Sequence, residues 1–241
     1  MRFLHLAALV AGLSACIEPG LKEIADTGDT ATLLTVPEPG DPAACPGWVA
    51  YNAVGDRWTY TESLVGVPIT REFEITAYDT ETGALRVAST FDMADGAIRT
   101  DSVIDYLCAE GGLYETQVSG TTVDLTSGYE STSVTVYDPP AFVLPQDLSV
   151  GLAWEATWEG TLEGTETTEG GGTEDIAEEV RAEIRRDVVA EEDVDTPLGT
   201  HTAMRVDQRE EGTDDDSYWF ADGVGLVQGE GYLWTSILTS R

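Results

Sequence analysis

The stretch TREFEITAYDTETGALRVA, residues 70–88, sets the fold class of this chain. Phe73 and Ile75 alternate with polar residues, and Leu85 and Val87 do the same after a turn rich in Asp, Thr and Gly. Alternation with a period of two places apolar side chains on one face of a β-strand, and the turn residues between the runs indicate a hairpin. The stretch therefore predicts two antiparallel strands with one buried face.

The same pattern recurs along the chain in both directions from this hairpin. Short runs rich in β-branched and aromatic residues, separated by Gly and Asp, are typical of antiparallel sheets. Such runs are 57–61, 98–108, 112–118 and 131–137. The sequence therefore predicts an all-β fold, a curved antiparallel sheet or half-barrel, with at most one short helix.

The window 174–187 is the one place where a helix fits. Ile176, Val180 and Ile184 are spaced by four, which suits one face of a short helix. A strand that continues through Ile184 to Val189 fits the same residues. Both interpretations remain open from the sequence.

A short internal repetition suggests two related halves. Residues 54–61 (VGDRWTYT) and 150–157 (VGLAWEAT) share a Gly-x-x-Trp at the start of a strand. Two β-meanders with a common core would account for the length of the folded part. We expect one β domain over residues 47–241, with possible halves 47–140 and 141–241.

The amino terminus has the features of a cleaved export signal. Met1-Arg2 is followed by the apolar run Phe3–Leu13, which is shorter than the roughly 20 residues needed to span a bilayer. Leu13-Ser14-Ala15-Cys16 resembles the lipobox of bacterial lipoproteins, which implies a signal peptide over 1–15 and a palmitate-type acyl anchor on Cys16. An ordinary signal cut beside a chance Cys is the alternative. Ile17 stands where an Asp would indicate inner-membrane retention, so the sequence favours the outer membrane, facing the periplasm or the exterior.

The chain after the anchor is rich in Pro, Gly, Thr and Asp up to Pro46. Such a composition buries too little apolar surface to offset the entropy of ordering, so we expect a disordered tether over 16–46. Two further cysteines, Cys45 and Cys108, remain if Cys16 carries lipid. An even pair in an exported protein suggests a disulfide, with free thiols as the alternative.

Charge restricts the possible partners. The chain has 45 acidic and 12 basic residues, a formal net charge of −33, and Lys22 is its only lysine. Binding to nucleic acid needs a basic surface and is excluded, and adsorption to an anionic membrane face is disfavoured. The acidity fits either solubility or capture of cations and basic partners.

The sequence lacks the motifs of the common catalytic and cofactor sites. We find no Gly-x-Ser-x-Gly, HExxH, P-loop or dinucleotide fingerprint, and His201 is the one histidine left after signal removal. The three acids 214–216 suit a solvated hairpin tip better than a calcium site. We therefore predict a non-enzyme without a metal or cofactor.

Three segments of the folded part carry a likeness to known sequences: 144–154 (LPQDLSVGLAW), 194–206 (VDTPLGTHTAMRV) and 218–227 (YWFADGVGLV). They resemble a group of uncharacterised bacterial lipoproteins and exported domains related to the lipoprotein-carrier half-barrel. The likeness extends over about residues 48–241 and departs at His201, where an aromatic is usual, and in the insert 160–175. The resemblance implies a curved antiparallel sheet that sometimes holds an apolar ligand in its concave face, and it implies no catalytic residues.

Two hypotheses about function follow. A binding module would hold an apolar molecule or lipid, and it predicts aromatic side chains converging on an open cavity. The candidates for this lining are Trp58, Phe142, Trp154, Trp158 and Trp219. A structural or interaction lipoprotein would contact an envelope protein, and it predicts the same aromatics packed in a filled core. In either case Trp219 and Phe220 should lie on opposite faces of their strand.

Overall fold

The computed structural model describes residues 32–49, 53–93, 96–167, 171–210 and 215–241. These residues are all-β, with thirteen strands and no helix, and so contain no helix long and apolar enough to cross a membrane. The strands are β1 (Thr32–Leu34), β2 (Arg57–Leu64), β3 (Val67–Asp79), β4 (Ala84–Met93), β5 (Ile98–Ala109), β6 (Gly112–Asp124), β7 (Tyr129–Pro145), β8 (Leu152–Thr167), β9 (Thr173–Thr196), β10 (Gly199–Glu210), β11 (Asp216–Ala221), β12 (Gly225–Glu230) and β13 (Trp234–Ser240).

Twelve of the strands described here form one closed antiparallel barrel. Each strand from β2 to β13 pairs with its neighbours in the chain, and β13 pairs with β2, where Ile237 lies opposite Thr61. The predicted all-β antiparallel sheet is confirmed, and the sheet closes completely. The expected boundary between two halves, 140/141, falls inside β7, and the division into halves stays a prediction.

The window 174–187 lies entirely in β9 and is a strand. Ile176, Val180 and Ile184 share one face of this strand, because a spacing of four is also a multiple of two. The same alternation places Arg186 on the face of Ile184 and Val188, both of which are buried in the barrel.

The barrel has two distinct ends, named here the strap end and the tip end. The strap end carries the turns at 80–83, 110–111, 146–151 and 222–224. The tip end carries the opposite turns, at 65–66, 125–128 and 231–233. Antiparallel neighbours reverse at alternate ends, so every strand from β2 to β13 runs between the two.

Residues 35–49, the strap, cross the strap end of the barrel. Just before them, β1 pairs in parallel with the start of β8. The Pro37 carbonyl then accepts a hydrogen bond from the Tyr114 hydroxyl at 2.9 Å, and Cys45 forms a disulfide with Cys108. Farther along, the Gly47 carbonyl accepts from the amide of Gly223 at 2.8 Å, on the other side of the ring. The described part of the expected tether, 32–46, therefore lies against the barrel.

The two Gly-x-x-Trp segments adopt the same arrangement. Gly55 and Gly151 both have positive φ, 94° and 87°. The amide of Gly55 donates to the carbonyl of Ile75 on the following strand at 2.8 Å, and that of Gly151 donates to Val188 on its following strand at 2.8 Å. The repetition noted in the sequence thus has a counterpart in backbone geometry.

The turn between β2 and β3 contains a strained residue. Val65 has φ 51° and Gly66 has φ 79°, so both central residues of this two-residue turn lie in the left-handed region. Such turns favour Asn-Gly, because a β-branched residue is crowded there. Val65 is 68% exposed, so burial of its side chain offsets little of this cost.

We expect Val65→Asn to raise the free energy of unfolding by about 1 kcal/mol, since Asn tolerates positive φ with less crowding. Urea unfolding of the purified protein measures the change. Val67→Asn, in the adjacent strand, is the control and should give no gain. Equal stability of the Val65→Asn and wild-type proteins would show that the turn is unstrained.

Candidate functional site

Three of the predicted aromatic side chains meet inside the barrel. Phe142 and Trp154 pack edge to face with their ring centroids 6.3 Å apart, and the indole N–H of Trp158 donates to the Phe142 carbonyl at 3.0 Å. All three are buried, and Trp154 is 0% exposed. Their rings contact other protein groups, and the three together form an aromatic layer near the strap end.

The other two candidates lie elsewhere. Trp58 is buried and stacks on Phe73, with ring centroids 5.3 Å apart and planes 6° from parallel. Trp219 projects from the outer face of its strand, the face that also carries Arg205 and Ser217, whereas Phe220 projects to the opposite face. The five aromatics therefore do not converge on one cavity. Whether any of them contacts a ligand stays a prediction.

A half-buried arginine, Arg186, borders the aromatic layer. The Arg186 guanidinium donates to Gln208 Oε1 at 2.8 Å and to the Val143 carbonyl at 2.5 Å, and it lies 5.6 Å from the centre of the Trp158 ring. Burial lowers the pKa of Arg186, while nearby Tyr218 and Glu115 favour its charged form. These contacts join β9 to its neighbour β10 and also to β7, which does not pair with β9. Arg186 therefore links strands that are not adjacent in the barrel.

Glu115 is the acidic member of this buried cluster. Burial raises its pKa to about 7, whereas the Tyr137 hydroxyl and the Arg186 guanidinium favour the charged form. Its Oε1 has no hydrogen-bond partner among the described residues. Burial likewise raises the pKa of Tyr106 and Tyr137 beside it. Glu115 and Arg186 are not among the residues predicted from the sequence, although strand alternation in 184–188 places Arg186 on the inner face.

We expect Glu115→Gln to flatten the pH dependence of stability. Between pH 4.5 and about 7 the unfolded chain releases the Glu115 proton while the folded protein keeps it, so the folded state loses stability as pH rises. The full difference is about 3 kcal/mol, at 1.36 kcal/mol for each pKa unit.

The measurement is urea unfolding of wild type and Glu115→Gln from pH 4.5 to 8. The gain of the variant over wild type should grow with pH and level off above pH 7. Exposed Glu163→Gln controls for the loss of one carboxylate. Parallel profiles for wild type and Glu115→Gln would contradict the buried position of this carboxyl.

Trp219 forms part of a groove on the outside of the barrel. The groove has a volume of about 560 Å³ and is lined by Arg205, Asp215, Ser217, Trp219, Glu230, Gly231 and Tyr232. The Arg205 guanidinium covers the Trp219 ring, 5.5 Å from its centre, and is held by Asp207 at 2.8 Å. The indole N–H donates to Glu192. Most of the groove is therefore polar and charged.

The remaining predicted sites are placed as follows. Cys16, the predicted lipidation site, lies outside the described residues, as does Asp214. The predicted disulfide between Cys45 and Cys108 is present. His201 is half-buried on β10, opposite Val194. No group of three or more His, Cys, Asp or Glu side chains in the described ranges could hold a metal ion.

The fold and this site define a closed up-and-down β-barrel whose strap end is filled with aromatic and polar side chains. No protein-family model matches the chain, and no curated protein matches it either.

Two solved structures are similar to this chain. One is a protein assigned as exported, with a YmcC-like fold, from Bacteroides fragilis NCTC 9343, at 18% identity and TM-score 0.45 over 80% of this chain and 97% of that one. The other is a protein assigned as a lipoprotein, from Parabacteroides distasonis ATCC 8503, at 13% identity and TM-score 0.45 over 82% and 99% of the two chains. No function is carried over from either.

Proposed function

We propose that this chain is a non-catalytic lipoprotein of the bacterial cell envelope, anchored by a lipid on Cys16, whose barrel contacts another envelope component. The lipobox Leu13-Ser14-Ala15-Cys16, directly after a charged and apolar leader, supports the anchor. Ile17 after the Cys supports the outer membrane as the location.

The observation that carries the proposal is the covalent attachment of the strap. A disulfide between Cys45 and Cys108 fits an exported protein, because thiols stay reduced in the cytosol. The bond fixes the chain that leads from Cys16 to one end of the barrel. A covalent link of this kind suits a folded domain held at a membrane surface, since the attachment resists local unfolding.

For the barrel itself we propose a filled core rather than a carrier of an apolar ligand. A carrier needs open, largely apolar space to receive its ligand. Phe142 instead contacts both Trp154 and Trp158, and the Arg186 guanidinium lies against the Trp158 ring. An apolar ligand at this place would have to displace packed rings and lie against the Arg186 guanidinium, and desolvating a charge without hydrogen bonds is costly.

The test is acyl labelling of the full chain in a bacterial host fed with radioactive palmitate. Wild type should carry label and sediment with the outer membrane, and Cys16→Ser should lose the label and leave the membrane fraction. Glu18→Gln, two residues on, is the control and should behave as wild type. An unlabelled wild type, or a membrane-bound Cys16→Ser variant, would contradict the proposal.

A further inference from the structure

Two neighbouring turns at the tip end expose apolar side chains. Val65 lies in the β2–β3 turn and Val67 is the first residue of β3, while Tyr232 and Leu233 lie in the β12–β13 turn. Their exposed fractions are 68% and 39%, then 76% and 51%. The amide of Val65 donates to the carbonyl of Leu233 at 2.7 Å, so the two turns form one surface. We name these four residues the apolar tip.

Trp234 packs against the backbone of the β12–β13 turn, which carries two residues of the apolar tip. Its indole covers Gly229 and Gly231, where an added Cβ would lie 2.7 Å and 2.2 Å from indole atoms, and its N–H donates to Asp216 at 3.2 Å. The Trp234 carbonyl also accepts from the Gly231 amide at 2.9 Å, which closes the turn. Exposed side chains on a fixed backbone lose less entropy on binding, a feature of tight protein contacts.

The positive φ of Val65 is a second observation, separate from exposure, that favours a binding surface here. A β-branched residue at φ 51° with an exposed side chain is unfavourable in the isolated protein. Strained residues of this kind cluster at binding sites, where the strain is maintained because the partner needs that shape.

The surroundings of the apolar tip restrict what can cover it. Asp215 and Glu230 line the groove that contains Tyr232 and are exposed to solvent, and Asp215 lies 3.8 Å from the Arg209 guanidinium. The basic residue of this groove, Arg205, is already paired with Asp207 at 2.8 Å. A partner with basic residues around an apolar pocket would complement this charge.

We propose that the apolar tip inserts into an apolar pocket, bordered by Lys or Arg, on another envelope protein. The inference rests on the proposed lipid anchor, because the strap that follows Cys16 attaches at the opposite end of the barrel. The apolar tip lies at the end of the barrel opposite the strap, and the anionic headgroups of a bilayer would repel the acids beside it. A second copy is disfavoured, since two chains of formal charge −33 repel each other.

The experiment introduces a photoactivatable benzoylphenylalanine in place of Tyr232 in the full-length lipoprotein, in its own cell envelope. Leu198, an apolar residue of the strap end that is 42% exposed, receives the same probe as the control position. Irradiation should give an adduct with one host protein from position 232 and none from 198. The adduct should fall at least tenfold with Leu233→Ser, and severalfold when salt is raised from 0.05 to 0.5 M. Lys or Arg should flank the crosslinked peptide of the partner.

Three results would overturn the inference: adducts with lipid alone, adducts of twice the chain mass, or no adduct at position 232. Palmitate label on Cys16 in the same cells separates failure of this inference from failure of the anchor. Label without a tip-dependent adduct rejects the docking surface alone, and absence of label rejects the proposed lipoprotein.

Discussion

Replacing both Cys45 and Cys108 by Ser should lower the free energy of unfolding by about 4 kcal/mol, because the bond closes a long loop in the unfolded chain. The sequence separation of the pair is 63 residues. Removing the bond also releases the strap from the barrel end, where Cys108 is fully buried. Urea unfolding measures the loss, with Cys16→Ser as the common background so that lipid does not interfere.

Limited proteolysis separates this effect from a general loss of stability. In the double variant, cleavage should begin within the strap, 35–49, before the strands of the barrel are cut. Treating the unmodified background with a thiol reductant should reproduce both results. A loss below about 1 kcal/mol, or cleavage that starts in the barrel, would show that the bond adds little to the attachment of the strap.

Trp154→Ala should cost about 3–5 kcal/mol, the usual range for removing a large aromatic side chain from a packed core. Trp154 is 0% exposed, packs on Phe142, and lies in β8 opposite Leu34 of β1. Thermal and urea unfolding of the purified protein measure the cost. Tyr232→Ala is the matched control, and its change should stay within about 0.5 kcal/mol because the ring is exposed.

This substitution also distinguishes the two hypotheses for the barrel. If Trp154 lined an open ligand cavity, few contacts would be lost and the cost would be near that of Tyr232→Ala. A large cost supports a filled core, whereas a small cost together with uptake of an apolar fluorescent probe by wild type would favour a carrier.

Local pattern was sufficient to predict the strands but not the way in which they assemble. The alternation in 70–88 predicted β3 and β4, since a period of two is a property of each strand alone. The window 174–187 stayed ambiguous because residues four apart share a face in a helix and in a strand. Closure through β13 and β2 depends on pairing between residues such as Ile237 and Thr61, which no local period encodes.

The Arg186 cluster and the attachment of the strap both depend on contacts between residues that are remote in sequence. Arg186 and the Val143 carbonyl are 43 residues apart, and their contact exists only because the barrel closes. Residues 32–46 have the composition of a disordered tether, yet a disulfide and backbone hydrogen bonds hold them against the barrel, and Leu34 and Val36 pack on its core. Composition reports neither a disulfide pairing nor hydrogen bonds to remote strands, so it could not reveal this attachment.

The most direct test of the account is mass spectrometry of the mature protein extracted from the cell envelope, measured both denatured and native. We expect a chain that begins at Cys16, carries the mass of acyl chains, contains an intact disulfide between Cys45 and Cys108, and shows the same mass in both conditions. A chain that begins elsewhere without acyl mass would contradict the anchor. An apolar mass bound to the native protein and lost on denaturation would contradict the filled core.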